Sequence, residues 1–317
     1  MEKILATANI GHDEWLQARK TGIGGSDAGA ICGLNPFRSP MDVYLDKVTT
    51  DVEEKDSETM RQGRDLEEYV AQRFSEATGK KVRRCNFILA HSDYPFLHAN
   101  IDRMVIGEKS GLECKTASAF MADDWEKEKV PESYLIQCLH YMAVTGADKW
   151  FLAVVVLGRS FRYFEIKRDE ETIQNLIKIE KDFWENHVMK HIPPEPDGSA
   201  ASEEYFKKNF LDCNIGKSVE LPKAFQEKFR RYEELNALID KLEKEQNQIS
   251  EQCKLEMGDA ETAYTDGFSV SWKPVVTNRL DSKKLKSEEP AIYSRYVKPS
   301  SSRRFVIRAE KDNALTV

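Results

Sequence analysis

The feature that most constrains this chain is a pair of short segments near its middle. Phe96 to Ile106 has strand composition, Gly107 to Gly111 supplies a hairpin turn, and Gly111-Leu112-Glu113-Cys114-Lys115-Thr116 begins a return strand. Asp102 then sits on the first strand, with Glu113 and Lys115 on the second. Side chains alternate faces along a strand, so Glu113 and Lys115 share one face while Cys114 turns into the core with its carbonyl open to the other two. Carboxylates grouped with a lysine in this way fit metal-dependent phosphodiester hydrolysis. That reaction needs a hard cation held by carboxylate oxygens, which polarises the phosphate and lowers the pKa of an attacking water. A nearby lysine orients the water and offsets charge developing on the phosphate. For an isolated E-x-K strand, a solvated cross-strand ion pair is the plainer explanation, so the surroundings matter.

Three further segments bear on the choice. Met60 to Phe74 has the spacing of a helix, with Leu66, Val70, Phe74 and Tyr69 on its apolar side, Glu67 bordering that side, and Asp65 and Glu68 in solvent. A carboxylate at an apolar border wants a cation or a cationic side chain as partner. Tyr134 to Val144 is a strongly apolar helix with Gln137 and Tyr141 one turn apart, placed either toward the acidic cluster or in a hydrogen-bonded core. Trp15 to Gly33 joins a basic helix end to the turn Gly22-Ile23-Gly24-Gly25 and a second helix, which Ser26 or Asp27 is expected to cap. With Arg19 beside it, such a turn presents an anion site, although it lacks the spacing of a nucleotide-triphosphate loop.

Taken in order, W-x3-R-x2-GIGGSD at Trp15 to Asp27, G-x3-E at Gly63 to Glu67, N-I-D at Asn100 to Asp102, E-C-K at Glu113 to Lys115, and Gln137 with Tyr141 resemble the YqaJ-type viral recombinase exonucleases. These are relatives of lambda exonuclease in the PD-(D/E)XK superfamily. The resemblance covers about the first 190 residues. It implies an α/β (α+β) restriction-endonuclease-like core, a central mixed sheet flanked by helices, carrying a C-terminal helical and β extension. It also implies that Asp102, Glu113 and the Cys114 carbonyl bind Mg2+, with Mn2+ as a substitute, and that Lys115 helps activate water. Glu67 completes the acidic cluster, Gln137 lies close to it, and Arg19 and Ser26 match positions that receive a terminal 5′-phosphate, with Tyr141 on the same DNA-binding side. The implied activity is 5′ to 3′ digestion of linear double-stranded DNA by a homo-oligomeric ring, a trimer or tetramer, with the 3′ strand passing to a single-strand annealing protein of a phage or prophage system. Two departures stand out. Isoleucine takes the proline place of the superfamily name, and Thr116 to Ala122 contains no second phosphate-binding arginine.

Composition bounds this reading. With 317 residues, 40% hydrophobic and 32% charged, the chain suits an ordinary soluble protein, and no segment is apolar enough to span a membrane. Six cysteines without CxxC pairing fit a reducing cytoplasm, which the resemblance implies is that of a bacterial host, and argue against disulfides and structural zinc. His187 and His191 have helical ligand spacing but no accompanying cluster, and fit better as groups at a helix C-terminus.

The breaker run Ile192 to Ser199 ends the first half, dividing the chain into a nuclease domain at 1–192, a linker at 193–221 and an extension at 222–317. Pro222 to Met257 is expected to form one long helix whose stripe of Leu235, Leu238, Ile239, Leu242 and Ile249 needs a partner. A hairpin follows around Asp266-Gly267, and the end after Arg308 is expected to be loose. Overall charge is −7, yet Lys273 to Arg308 holds ten basic residues against Asp281, Glu288 and Glu289. With Trp272, Tyr293, Tyr296 and Phe305 interleaved, that stretch is either a solvated face or a surface for phosphates and unpaired bases. Two other readings of the whole chain stay open beside the exonuclease. One is a structure- or site-selective endonuclease on the same fold; the other is a catalytically silent DNA-binding scaffold.

Overall fold

The computed structural model describes residues 1–8, 10–49, 57–126, 130–298 and 301–308. They divide into two units, Met1–Phe206 and Lys207–Val317. The first opens with strand β1 (Glu2–Ala6) and the short helices α1 (His12–Lys20), α2 (Gly25–Ile31) and α3 (Pro40–Val48). Ser39 caps α3 by accepting from the Asp42 amide while Asp42 reaches back to the Ser39 amide, and Pro40 takes the first position, where no N–H is needed. Helix α4 (Glu58–Thr78) starts at a Ser57 cap and closes at Gly79, whose φ of 72° is open to glycine without strain.

Strands β2 (Val82–Arg84), β3 (Phe87–Ala90), β4 (His98–Asn100), β5 (Arg103–Val105) and β6 (Ser110–Ala117) come next, then α5 (Ala122–Glu126) and α6 (Glu132–Thr145). After β7 (Lys149–Val156) and β8 (Ser160–Lys167), helix α7 (Glu170–Phe183) runs into a π turn, and the first unit ends within α8 (Ala200–Asn209). Five strands form a mixed sheet in the order β2-β5-β6-β7-β8, parallel between β6 and β7 and antiparallel elsewhere. β1, β3 and β4 form a second, antiparallel sheet.

The apolar run of β7 is covered on both faces, as its composition requires. Trp150, Leu152 and Val154 enter the core made with α2, α6 and α7, whereas Phe151, Ala153 and Val155 pack on Val70, Ala71 and Phe74 of α4. Each large side chain so buried contributes about 1.5–3 kcal/mol. The sheet therefore lies between two helix layers.

Two local expectations are corrected. Phe96 to Ile106 is not one strand: β4 pairs with β3 and β5 pairs with β2 and β6, with Ile101 and Asp102 at the bend between sheets. The Asp102 side chain accepts from a neighbouring strand's amide instead of lying in a ladder. Tyr69 is 44% exposed rather than on the apolar side, and the Arg73 guanidinium stacks on it at 6.0 Å.

The run Ile192 to Ser199 belongs to the first unit: Pro194 is buried, and Ser199 Oγ lies 3.2 Å from Ser39 Oγ. His187 Nδ1 donates to the Ile192 carbonyl, 3.0 Å away, as a helix-end group does. The second unit contains α9 (Ala224–Met257), the hairpin β9 (Thr262–Thr265) and β10 (Phe268–Ser271), and the short helices α10 (Ser282–Glu288) and α11 (Pro290–Tyr296). The hairpin turns on Asp266-Gly267, with φ of 79° at the glycine, the dipeptide that two-residue turns favour. The apolar stripe of α9 is exposed along its length. Residues after Arg308 lie outside those described. Among the described residues, no helix is long and apolar enough to cross a membrane.

Candidate active site

Strand β6 sets the site by alternation. Leu112 and Cys114 face α4, so Glu113 and Lys115 face α6. Glu113 is 3% exposed. Its Oε1 accepts from Lys115 Nζ at 2.6 Å and from Gln137 Nε2 at 2.7 Å, while Oε2 is buried with no hydrogen-bond partner. Lys115 also lies over the Tyr134 ring at 4.9 Å. Burial works to lower the Lys115 pKa, but Glu113 and Asp102 outweigh it and hold the ammonium charged. Asp102 Oδ2 accepts from the Cys114 amide at 2.8 Å, which ties the bend between sheets to the strand carrying Glu113. Burial first, then the charges of Glu113 and Glu67, push the Asp102 carboxyl well above the usual carboxylate range. The Cys114 thiol is pushed up by burial and by the same carboxylates, so it is a protonated core group.

Glu67, on α4, faces this cluster with a partner of its own. The Arg103 guanidinium, 3% exposed, binds Glu67, donates to Glu68 at 3.0 Å and donates to the Asp102 carbonyl at 2.8 Å. Glu68 remains exposed but also takes Arg84 at 2.8 Å. Arg103 thus locks the acidic end of α4 to the Asp102 bend. It was not singled out from the sequence, where its only signal is a cation inside a short apolar strand beside Asp102.

The glycine turn reaches the same place from the other side. Ile23 bridges to Leu97, with its amide on the Phe96 carbonyl at 2.7 Å and its carbonyl on the His98 amide at 2.8 Å. Gly24 is the N-cap of α2; Ser26 lies inside the helix and does not cap it, while Asp27 reaches back to the Gly24 amide at 2.9 Å. Asp27 is buried because it meets two cations, Lys47 at 2.8 Å and Arg38. Burial alone would raise its carboxyl, but Lys47, Arg38 and Arg19 hold it well below the usual range. Ser26 stays exposed and accepts from Arg19 Nη2 at 3.2 Å, and Arg19 stacks on Trp15 at 4.6 Å. A side chain at Gly25 would meet the Tyr141 ring at 2.6 Å and Gln137 Cγ at 3.1 Å. Gln137 Nε2 contacts the Tyr141 hydroxyl at 3.0 Å as well as Glu113. The anion-type loop and the carboxylates are therefore one contiguous structure, joined through Gly25, Tyr141, Gln137 and Glu113. Tyr141 is 4% exposed and supports the loop from below.

The donors here suit a hard divalent cation. Glu113 Oε2 is an unsatisfied buried acceptor, and burial together with the charges of Glu113 and Glu67 raises the cost of ionising Asp102, which a cation would relieve. Among the described residues, no group of three His, Cys, Asp or Glu side chains forms a ready ligand cluster. Two carboxylates with a strand carbonyl is instead the small, all-oxygen set with which magnesium is commonly held, waters and phosphate completing its shell.

The profile of the YqaJ-like viral recombinase domain matches residues 14–148, from α1 to the end of α6 and the turn after it. The uncharacterized protein YqaJ of Bacillus subtilis (strain 168) is 41% identical over 310 residues, spanning 97% of each chain. The alkaline exonuclease LHK-Exo of Laribacter hongkongensis superposes with a TM-score of 0.50 at 19% identity, over 57% of this chain and 94% of its own. Its crystal structure in complex with dAMP matches to the same extent. The shared fold is the PD-(D/E)XK one, a mixed sheet flanked by helices. Because the likeness to YqaJ runs through both units of the chain, the family extends to the whole molecule: this protein belongs to the YqaJ-like viral recombinase family.

Proposed function

We propose that this protein is a metal-dependent deoxyribonuclease that digests linear double-stranded DNA from its 5′ ends. The observation that carries the reading is the contiguity of two different sites. The Asp102, Glu113 and Lys115 cluster touches, through Gln137 and Tyr141, a loop whose exposed Ser26, bonded to the half-buried Arg19 of α1, suits a terminal phosphate. An enzyme cutting at internal positions has no need of an end-binding loop against its scissile centre.

Asp102, Glu113 and the Cys114 carbonyl would hold Mg2+, or Mn2+ in its place. When bound, the cation supplies Lewis-acid polarisation of the phosphate and a water of lowered pKa. Lys115, kept charged by its carboxylate neighbours, orients that water and offsets phosphate charge. Gln137 fixes Glu113 by its hydrogen bond at 2.7 Å. Glu67, held by Arg103, adds negative charge beside Asp102. Arg19 and Ser26 seat the terminal 5′-phosphate, and Tyr141 keeps the loop in register. The product would be duplex DNA with 3′ single-stranded tails, taken up by a single-strand annealing protein in phage-type recombination. A homo-oligomeric ring in the bacterial cytoplasm suits such work.

The test is a parallel digestion of linear duplex and covalently closed circle with magnesium. Early release of a 5′-end label as mononucleotide, late release of a 3′-end label and an intact circle are expected. A nicked circle would transfer the site to an endonuclease, and no hydrolysis with either metal would leave a DNA-binding scaffold.

A further inference from the structure

The second unit contains a charge pattern that the hydrolytic site does not use. Lys273 to Arg308 is net +7 in a chain whose total is −7, so the remainder carries −14. All ten of its cations are exposed. Among the described residues, Lys284 alone of the ten lies within ion-pair distance of a carboxylate, Glu288 at 3.9 Å. Solvated protein surface mixes both signs and pairs many of them; this stretch concentrates a single sign, with one ion pair among its described cations.

The cations are joined to aromatic rings. Lys286 Nζ lies 5.7 Å from the centre of the Tyr293 ring, Arg295 lies 5.8 Å from that of Tyr296, and Lys254 lies 5.8 Å from that of Trp272. These rings are not core material: Tyr296 is 74% exposed, and Phe305 is 80% exposed. Arg303 holds the last described stretch in place by donating to the Phe210 carbonyl at 2.9 Å. Exposed rings flanked by unpaired cations match the chemistry of one ligand class. The phosphates of a nucleic acid meet the cations, and its bases meet the rings, which is open only to unpaired bases.

We infer that the second unit carries a separate binding site for single-stranded DNA, built on the basic helix α10 and the aromatic residues Tyr296 and Phe305. Its natural ligand is the unpaired strand that end-directed digestion exposes. The inference rests on the exonuclease reading only for the source of that strand; the binding itself requires no hydrolysis.

The experiment uses the full-length protein in EDTA and a fluorescent oligonucleotide of about 16 nucleotides, followed by anisotropy across a salt series. A Lys283→Ala, Lys284→Ala, Lys286→Ala variant is expected to bind about 100-fold more weakly at 0.1 M salt. Its slope of log affinity against log salt should be shallower by about 2, since each single-strand phosphate contact is worth roughly 0.7. A Tyr296→Ala, Phe305→Ala variant should lose about tenfold or more on the normal oligonucleotide and little on an abasic one of equal length. Both variants should digest a short duplex at the wild-type single-turnover rate, which also reports that they are folded. Equal binding by wild type and variants, a loss confined to duplex DNA, or competition by polyglutamate as effective as by oligonucleotide would each overturn the assignment, the last in favour of an acidic protein partner. Failure of wild type to digest any DNA would overturn the exonuclease reading while leaving this binding result standing.

Discussion

Replacing Asp27 with asparagine tests how the glycine loop is held. The carboxylate is buried between Lys47 and Arg38 and also binds the Gly24 amide. Asparagine keeps the shape but leaves the Lys47 ammonium, 1% exposed, with Asp46 at 3.3 Å as its remaining carboxylate among the described residues. Breaking one partner of a buried pair costs about 3–5 kcal/mol, and the remaining Asp46 contact argues for the low end. Urea denaturation at pH 7 should therefore show a loss of about 3 kcal/mol, and adding Lys47→Met should return part of it. The pH dependence has a definite sign. The folded-state carboxyl is held below its ordinary value, so the stabilisation is fully present above about pH 4 and fades as pH falls toward the folded pKa. The gap between wild type and Asp27→Asn should accordingly narrow in acid. Lys47 also donates to the Arg19 carbonyl at 3.0 Å, so the variant should raise KM for 5′-phosphorylated ends more than it lowers kcat. A loss below about 1 kcal/mol with an unchanged acid limb would refute this account of the loop.

Other perturbations give equally definite outcomes. Gly111→Ala would drive a methyl into the Trp150 ring, 2.2 Å from the added carbon, and should cost about 3 kcal/mol or more in thermal or chemical melts. Gly25→Ala meets Tyr141 at 2.6 Å and should cost about 1–3 kcal/mol together with most of the digestion rate, and Tyr141→Leu in the same chain should restore part of both. His98 is depressed to about 4 by burial, so the fold resists its protonation. Stability should fall as pH drops from about 6.5 toward 4, by about 3 kcal/mol in all, and His98→Asn should flatten that limb in a pH series of denaturation midpoints.

The shared face of Glu113 and Lys115 was legible because strand alternation is rigid. Once Gly107 to Gly111 reads as a turn, Glu113 and Lys115 must share a face, and they do. The apolar runs of β7 and α6 were legible for the same reason, since burial on both faces leaves few polar positions. The switch between sheets at Asp102 was not, because Phe96 to Ile106 has continuous strand composition and only tertiary pairing divides it. Asp27 looked like a helix cap; its partners lie 11 and 20 residues away, and nothing local announces a buried ion pair. Arg103 was hidden likewise, its partners coming from α4, a segment distant in sequence. Tyr69 shows the limit of periodicity, which places a residue near an apolar border without saying on which side it falls.

The central claim is that Asp102, Glu113 and Lys115 form the hydrolytic centre. Its most direct test is single-turnover digestion of a 5′-labelled linear duplex in magnesium by wild type, Asp102→Ala and Lys115→Ala, with duplex binding by each measured in EDTA. Wild type should release the terminal nucleotide. Each variant should be slowed by at least about 100-fold while binding DNA as wild type does. Normal digestion by either variant would contradict the assignment.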